Sequence, residues 1–76
     1  MASKGRHFSP IETNLLKYML VKAMETSPRI DWGKMAKEWR FNASILVFKN
    51  VFVYNRTRLQ LETKGNKIKK LLKNHN

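Results

Sequence analysis

Segment 44–61 holds the side chains of this sequence best suited to recognition chemistry. Its apolar residues recur at helical steps, which predicts one stripe of an α-helix: Ile45, Phe48, Phe52 and Leu59. Amide, hydroxyl and cationic groups lie across from that stripe or beside it: Lys49, Asn50, Tyr54, Thr57, Arg56 and Arg58. Such groups read base edges and hold phosphates when a helix lies in a DNA groove. The alternative is an ordinary amphipathic helix whose polar face is solvated.

Candidate contacts follow from the side-chain types. Lysine donates to guanine and asparagine pairs with adenine, so we assign base contacts to four residues, the first two as primary contacts: Lys49, Asn50, Tyr54 and Thr57. Phosphate contacts are assigned to cations of the same region and of the helix before it: Lys34, Lys37, Arg56, Arg58 and Lys64. Residues 1–7 are expected to form a disordered arm that carries Lys4 and Arg6. The first expectation is a terminus that is merely mobile, and contact of these two cations with a minor groove is the alternative.

The charge balance points to a polyanionic partner. Sixteen Lys and Arg against five Asp and Glu give a net charge of +11 over 76 residues. The excess is concentrated in 49–76, where eight cations accompany one acid. Nucleic acid is the first expectation, ahead of an anionic membrane surface or an acidic protein. An RNA-binding protein shows the same imbalance, so charge sets only the class of partner.

Catalysis is not expected of this chain. It has no Cys, its five acids are scattered, and its two histidines, His7 and His75, lie in opposite tails. No nucleophile set, glycine-rich phosphate loop or metal-ligand spacing is present in the sequence. We therefore expect no enzyme activity, metal, cofactor or small-molecule substrate. The apolar runs are too short for a membrane span and no signal peptide is evident, so an intracellular location is expected.

Three helices are predicted to position these side chains. The first begins at Pro10, behind a capping box formed by Ser9 and Glu12, and ends near Met24. The second is short, 32–40, and begins after an N-cap aspartate. A chain of this length buries a modest core, and three helices around a few aromatic rings are a natural solution.

A helix-turn-helix is the predicted arrangement. Segment 40–43 is the turn, 44–61 is the third helix, and Gly65 ends that helix. The tail is expected to be a frayed cationic segment rather than a short basic helix. The predicted fold class is all-α, a three-helix bundle over 8–62 flanked by the arm 1–7 and the basic tail 63–76.

Three segments resemble the Myb/SANT family of DNA-binding domains. Segment 8–12 is similar to the family's opening Trp-Thr-x-Glu-Glu, and 31–36 is similar to the Asp-Trp-x-x-Ile-Ala of its second helix. Segment 44–52 resembles Thr-x-x-Gln-Cys-Lys-Asn-Arg-Trp at the start of its recognition helix. The resemblance implies double-stranded DNA binding in transcription regulation or in chromatin or telomere recognition, in the nucleus. It also implies one core aromatic from each helix: Phe8, Trp32 and Phe52.

Alternatives remain open for both the fold and the function. Segment 52–56 can be laid on the Trp-Phe-x-Asn-x-Arg signature of a homeodomain, which is the second choice of fold. The second choice of function is a SANT-like protein-interaction module of a chromatin complex, with only non-specific affinity for nucleic acid. Three apolar residues turned away from the predicted core stripe favour a protein partner or self-association: Leu46, Val47 and Val53.

Overall fold

The computed structural model describes residues 7–74 of the chain, which contain three helices and no strand. The helices are α1 (Pro10–Thr26), α2 (Trp32–Phe48) and α3 (Arg58–Asn74). α3 packs against both α1 and α2. The prediction of an all-α fold with three packed helices is confirmed. No helix within the described residues is long and apolar enough to cross a membrane.

The start of α1 follows from its capping residues. The Ser9 hydroxyl accepts a hydrogen bond from the backbone N–H of Glu12 at 3.1 Å, and the Glu12 carboxylate accepts from the Ser9 N–H at 2.9 Å. Pro10 occupies the first helical position, so the predicted start is confirmed. The helix ends at Thr26, slightly later than predicted, because Pro28 disfavours helical backbone at the residue before it.

α2 is twice as long as the sequence suggested. Asp31 caps it as expected, accepting from the Lys34 N–H at 3.1 Å. It then continues to Phe48, so the turn predicted at 40–43 is wrong. That segment contains no Gly or Pro to stop the helix, and Ala43 lies one turn beyond Trp39 in the core. Burial of this continuous face extends the helix past the predicted turn.

The end of α2 divides the segment 44–61 that was predicted to be one helix. Asn50 adopts the left-handed conformation, with φ of 67°. Its N–H donates to the carbonyl of Val47 at 2.9 Å, and the Val51 N–H donates to that of Leu46 at 2.8 Å. These two bonds form a Schellman motif, which terminates a helix and reverses the chain. The prediction of a helix over 44–61 is therefore wrong.

α3 begins at a second capping box. The Thr57 hydroxyl accepts from the Gln60 N–H at 3.1 Å, and the Gln60 side chain accepts from the Thr57 N–H at 2.9 Å. The helix runs through Gly65, so the predicted break there and the frayed tail over 63–74 are wrong. Packing explains its persistence, because apolar residues at helical spacing face the other helices: Leu61, Ile68 and Leu72.

The core is centred on Trp39 rather than on the predicted aromatic trio. Phe8 and Trp32 are half-buried at its edge, while Phe52 is 68% exposed and its predicted core role is wrong. Phe52 lies in the link 49–57, where its neighbour Val53 takes the inward position. The buried apolar residues are Leu16, Met19, Leu20, Met35, Trp39, Ala43, Val53, Leu61 and Ile68.

Gly65 allows α3 to approach α2 closely. A Cβ at this position would meet the Trp32 ring, lying 2.7 Å from its Cζ3 atom. We expect Gly65→Ala to lower the free energy of unfolding by about 1–3 kcal/mol. Alanine has a higher helix propensity than glycine by about 1 kcal/mol. The substitution therefore lowers stability only because the clash with Trp32 costs more than this gain. Urea denaturation of the two proteins measures the difference.

The matched control for Gly65→Ala is Asn66→Ala. Asn66 is the next residue of the same helix and is exposed. Alanine there should leave stability equal or raise it slightly, because helix propensity alone changes. If Gly65→Ala raised stability as Asn66→Ala does, the close packing of α3 on Trp32 would be contradicted.

Candidate nucleic-acid interface

α3 carries a regular array of cations that winds from the partly buried Lys64 onto the outward face of the helix. Six of its seventeen residues are Lys or Arg and one is acidic, Glu62. Four of these cations recur at every third residue, about 4.5 Å apart along the helix axis. We call this set the lysine row: Lys64, Lys67, Lys70 and Lys73. Residues three apart are neighbours on a helix surface, so the row is continuous.

Packing of α3 fixes the direction of the row. Leu61 and Ile68 are buried on one side of the helix. Lys70 points away from them, with Lys67 and Lys73 rotated about 60° to either side. All three lysines are exposed. The same residues that build the core therefore turn a band of positive charge toward solvent.

The start of the described chain lies beside the lysine row. His7 and Phe8 form a shallow groove with α3, whose lining includes Lys64 and Lys67. The Lys64 ammonium lies 5.9 Å from the centre of the Phe8 ring, within range of a cation–π contact. Lys4 and Arg6, the predicted minor-groove residues, lie outside the described residues.

A buried ion pair anchors the link that leads into α3. The Arg56 guanidinium donates to the Glu12 carboxylate at 2.6 Å and to the His7 carbonyl at 2.8 Å, and both charged side chains are almost completely buried. Glu12 also accepts from the Tyr54 N–H at 2.7 Å, while the Trp39 indole donates to the Tyr54 carbonyl at 2.9 Å. α1, α2 and the link are thereby joined at the point where α3 begins.

The position of Arg56 corrects one predicted contact. Its guanidinium is enclosed by protein and its carbon Cζ lies 4.1 Å from the centre of the Phe8 ring and 5.2 Å from that of Tyr54. The rings cover a cation whose Nε and Nη1 have no hydrogen-bond acceptor among the described protein groups. A buried arginine in this setting is structural, so the phosphate contact assigned to Arg56 is wrong.

The ionisation of Glu12 depends on the same contacts. Burial disfavours the charged form and acts to raise the pKa of Glu12. Hydrogen bonds from the N–H groups of Ser9 and Tyr54, together with Arg56, outweigh that effect and hold the pKa below its usual value. The carboxylate is therefore charged at neutral pH and matches the buried guanidinium.

The structure does not place the four predicted base contacts on one helix face. Lys49 is the exposed C-cap of α2, and Asn50 is its left-handed terminating residue. Tyr54 lies in the link, with its ring centre 4.7 Å from that of Phe52, and Thr57 caps α3. These residues occupy separate structural positions: three of them end or begin a helix, and the fourth, Tyr54, packs beside the ion pair.

The remaining predicted contacts are divided between two helices. Lys34 and Lys37 are exposed on α2, while Arg58 is exposed in the first turn of α3 and Lys64 belongs to the lysine row. The three apolar residues assigned to a protein partner do not form one exposed surface, because Val53 is buried in the core. Leu46 packs against that core, whereas Val47 is exposed.

Sequence reasoning missed three lysines of the row, which it assigned to a frayed tail: Lys67, Lys70 and Lys73. Two signals in the sequence indicate the helix that carries them. Thr57 and Gln60 match the Ser/Thr-x-x-Glu/Gln capping box, as Ser9 and Glu12 do. The apolar spacing over 61–72 supplies the second signal.

Asn50 offers a test that separates a structural role from DNA contact. Glycine adopts the left-handed conformation without a Cβ clash, so Asn50→Gly should retain or raise stability, by up to about 1 kcal/mol. Asn50→Ala should lower it by about 1 kcal/mol, because alanine is strained at positive φ. Thermal unfolding of both variants checks the order. Asn50→Gly should also leave DNA affinity unchanged; a selective loss of binding by the stable glycine variant would restore the base-contact role.

A second cluster of cations lies away from the lysine row. Lys22, Arg29 and Lys34 line a groove between α1 and α2, together with acidic Asp31 and Glu38. The mixed signs make this groove less favourable for a polyanion than the outward face of α3. Its three cations provide a matched comparison of equal charge.

No metal centre is indicated within residues 7–74, since the histidine and the acidic residues there do not gather in a group of three or more. Comparison with known proteins gives no match to this chain from a family model, a curated protein or a solved structure.

Proposed function

We propose that this chain binds double-stranded DNA through the lysine row of α3. The observation that carries the proposal is the outward direction of Lys67, Lys70 and Lys73, opposite the buried stripe of the same helix, on a chain of net charge +11. A role in transcription regulation or in chromatin or telomere recognition, and a nuclear location, form part of this proposal.

Electrostatics supply the affinity. Duplex DNA carries one negative charge per about 1.7 Å of its axis, and each phosphate neutralised by a cation releases counterions. Lysines about 4.5 Å apart along a helix meet several phosphates at once. The sequence before His7 adds two further cations, Lys4 and Arg6, to the positive charge of the chain.

Polar residues on the same face provide a means of base contact. Thr63, just before the row, and Asn66, between Lys64 and Lys67, are both exposed. An α-helix fits the major groove, where an asparagine amide pairs with adenine and a threonine contacts several bases. In this proposal Asn66 takes the role that the sequence interpretation gave to Asn50, and α3 takes the role of the recognition helix.

The Myb-type helix-turn-helix remains the proposed relationship for the finer fold. α2 and α3 are the two helices that such a motif would use. Their link spans 49–57, which is longer than the three or four residues of a typical helix-turn-helix turn. The link holds the anchored segment around Arg56.

A charge-matched pair of variants tests the proposed interface. The first replaces Lys67, Lys70 and Lys73 by glutamine, and the second replaces Lys22, Arg29 and Lys34 by glutamine. Fluorescence anisotropy with a labelled duplex of random sequence, at several salt concentrations, gives affinity and its salt slope. Loss of the row should weaken binding at least tenfold and reduce the slope by about 2.7, or 0.9 for each lost phosphate contact.

The groove variant is the control, because its net charge falls by the same three units. We expect its affinity to stay within a few-fold of the unmodified chain and its salt slope to change little. Equal losses in both variants would mean that the net charge acts without a defined interface, and the proposal would be rejected.

A further inference from the structure

α2 has a second apolar face that turns away from the core. Phe41, Ile45 and Phe48 lie at spacings of four and three residues and are exposed, Phe48 by 88% and Phe41 by 66%. Trp39 and Ala43 occupy the opposite, buried side of the same helix. Two large exposed phenylalanines in line with an isoleucine are unusual for a solvated surface and indicate an interaction site.

The spacing specifies the shape of the partner. Steps of four and three residues match consecutive d, a and d positions of a heptad, the seam along which two helices pack. In this register the residues beside the seam, at positions e and g, are Lys37, Asn42, Ser44 and Lys49. On the N-terminal side the next seam positions hold Lys34 and Glu38, so the apolar seam covers about two turns.

The flanking charges select the chemistry of the partner. Lys37 and Lys49 are exposed cations, and no acid occupies an e or g position beside the apolar seam. Interhelical pairs between e and g positions set partner choice, so a helix with acidic flanks is complementary. A second copy of this chain would bring lysines against lysines between bodies of net charge +11.

We propose that this face of α2 docks an acidic amphipathic helix of another protein. That helix presents aliphatic side chains at its a and d positions and Asp or Glu at its e and g positions. The proposal is independent of DNA binding, which uses α3. Phe41 and Phe48 form the centre of the contact, and Lys37 and Lys49 set its charge preference.

The test uses a peptide probe of about three heptads, with Leu at a and d and Glu at e and g. Its labelled form is titrated with the full chain, alongside one control peptide with Lys at e and g and another with Ser at a and d. We expect the Glu/Leu peptide to bind at least tenfold tighter than either control. The serine peptide retains the negative charge, so it reports charge attraction without the apolar seam.

Variants of the chain locate the binding site. Phe41→Ser with Phe48→Ser should weaken peptide binding at least tenfold, with helix content unchanged by circular dichroism. The matched control, Leu59→Ser with Leu71→Ser, removes two exposed apolar residues of α3 and should bind the peptide normally. Lys37→Glu with Lys49→Glu should reverse the preference, favouring the peptide with Lys flanks.

Several outcomes would overturn the inference. Equal binding of the leucine and serine peptides would leave only charge attraction, and unchanged binding by the Phe41 and Phe48 double variant would remove the proposed site. Two further measurements identify other occupants. Dimerisation in sedimentation equilibrium that the double variant abolishes would assign the face to a second copy. Binding to anionic vesicles through the same two residues, without peptide binding, would assign it to a membrane surface.

Discussion

Trp39→Ala is expected to lower the free energy of unfolding by about 3–5 kcal/mol. Trp39 is completely buried at the centre of the core, and its ring packs edge-on against Phe8 with centroids 5.8 Å apart. Its indole N–H also holds the link through the Tyr54 carbonyl. Domains are stabilised by about 0.05–0.15 kcal/mol per residue, so the loss removes a large part of the stability of this chain.

Chemical denaturation followed by circular dichroism measures this effect, and two variants serve as controls. Trp39→Phe retains most of the ring and loses the hydrogen bond, so it should be less destabilising than alanine. Phe48→Ala, at an exposed site of the same helix, should stay within about 0.5 kcal/mol of the unmodified chain. A Trp39→Ala protein as stable as Phe48→Ala would contradict the core described above.

Glu12→Gln is expected to cost a similar amount, about 3–5 kcal/mol, because it leaves the buried charge of Arg56 without its partner. Glutamine is accepted at the third position of a capping box, so the substitution tests the ion pair more than the helix cap. The control is Glu25→Gln, which removes an exposed acid from the same helix and should change stability by less than about 0.5 kcal/mol.

The ion pair can be separated from other effects of the substitution by replacing both partners. Glu12→Gln with Arg56→Met removes the buried charge together with its counter-charge. We expect this double variant to be more stable than Glu12→Gln alone, since an apolar replacement of a buried pair is often tolerated. If the second substitution only added to the loss, the unpaired cation would not be the source of the destabilisation.

The lowered pKa of Glu12 predicts that the stability supplied by the ion pair depends on pH. Because that pKa is lower in the folded chain than in the unfolded chain, ionised Glu12 contributes stability above the unfolded-state value of about 4.3. This contribution is lost as the pH falls through the lower folded-state pKa. The stability difference between the unmodified chain and Glu12→Gln should therefore shrink below about pH 4. A difference that stayed constant in acid would contradict the lowered pKa.

Local signals predicted the starts of the first two helices. Ser9 with Glu12 and Asp31 act through hydrogen bonds to residues three positions away, which a sequence pattern specifies directly. The all-α class and the concentration of positive charge in 49–76 are also evident from the sequence. These features depend on short-range chemistry and on composition, so they required no knowledge of tertiary contacts.

The boundary between α2 and α3 depends on interactions that the sequence pattern did not reveal. Segment 44–61 retains helical spacing of apolar residues, yet Asn50 reverses the chain inside it. Glu12 accepts hydrogen bonds from Tyr54 and Arg56 in the link, which lie 42 and 44 residues away in sequence. Long-range contacts of this kind override local periodicity. The cationic helix is therefore Arg58–Asn74 and not the predicted segment 44–61.

The assignment of DNA binding to α3 is tested most directly by amide mapping. The ¹⁵N-labelled chain is titrated with a short DNA duplex at physiological ionic strength, and backbone chemical-shift changes are followed residue by residue. We expect the largest changes within 63–73, at the lysine row and at Thr63 and Asn66, with smaller changes at the groove between α1 and α2. Largest changes in 44–57, or equal changes at cations on all three helices, would contradict the proposed interface.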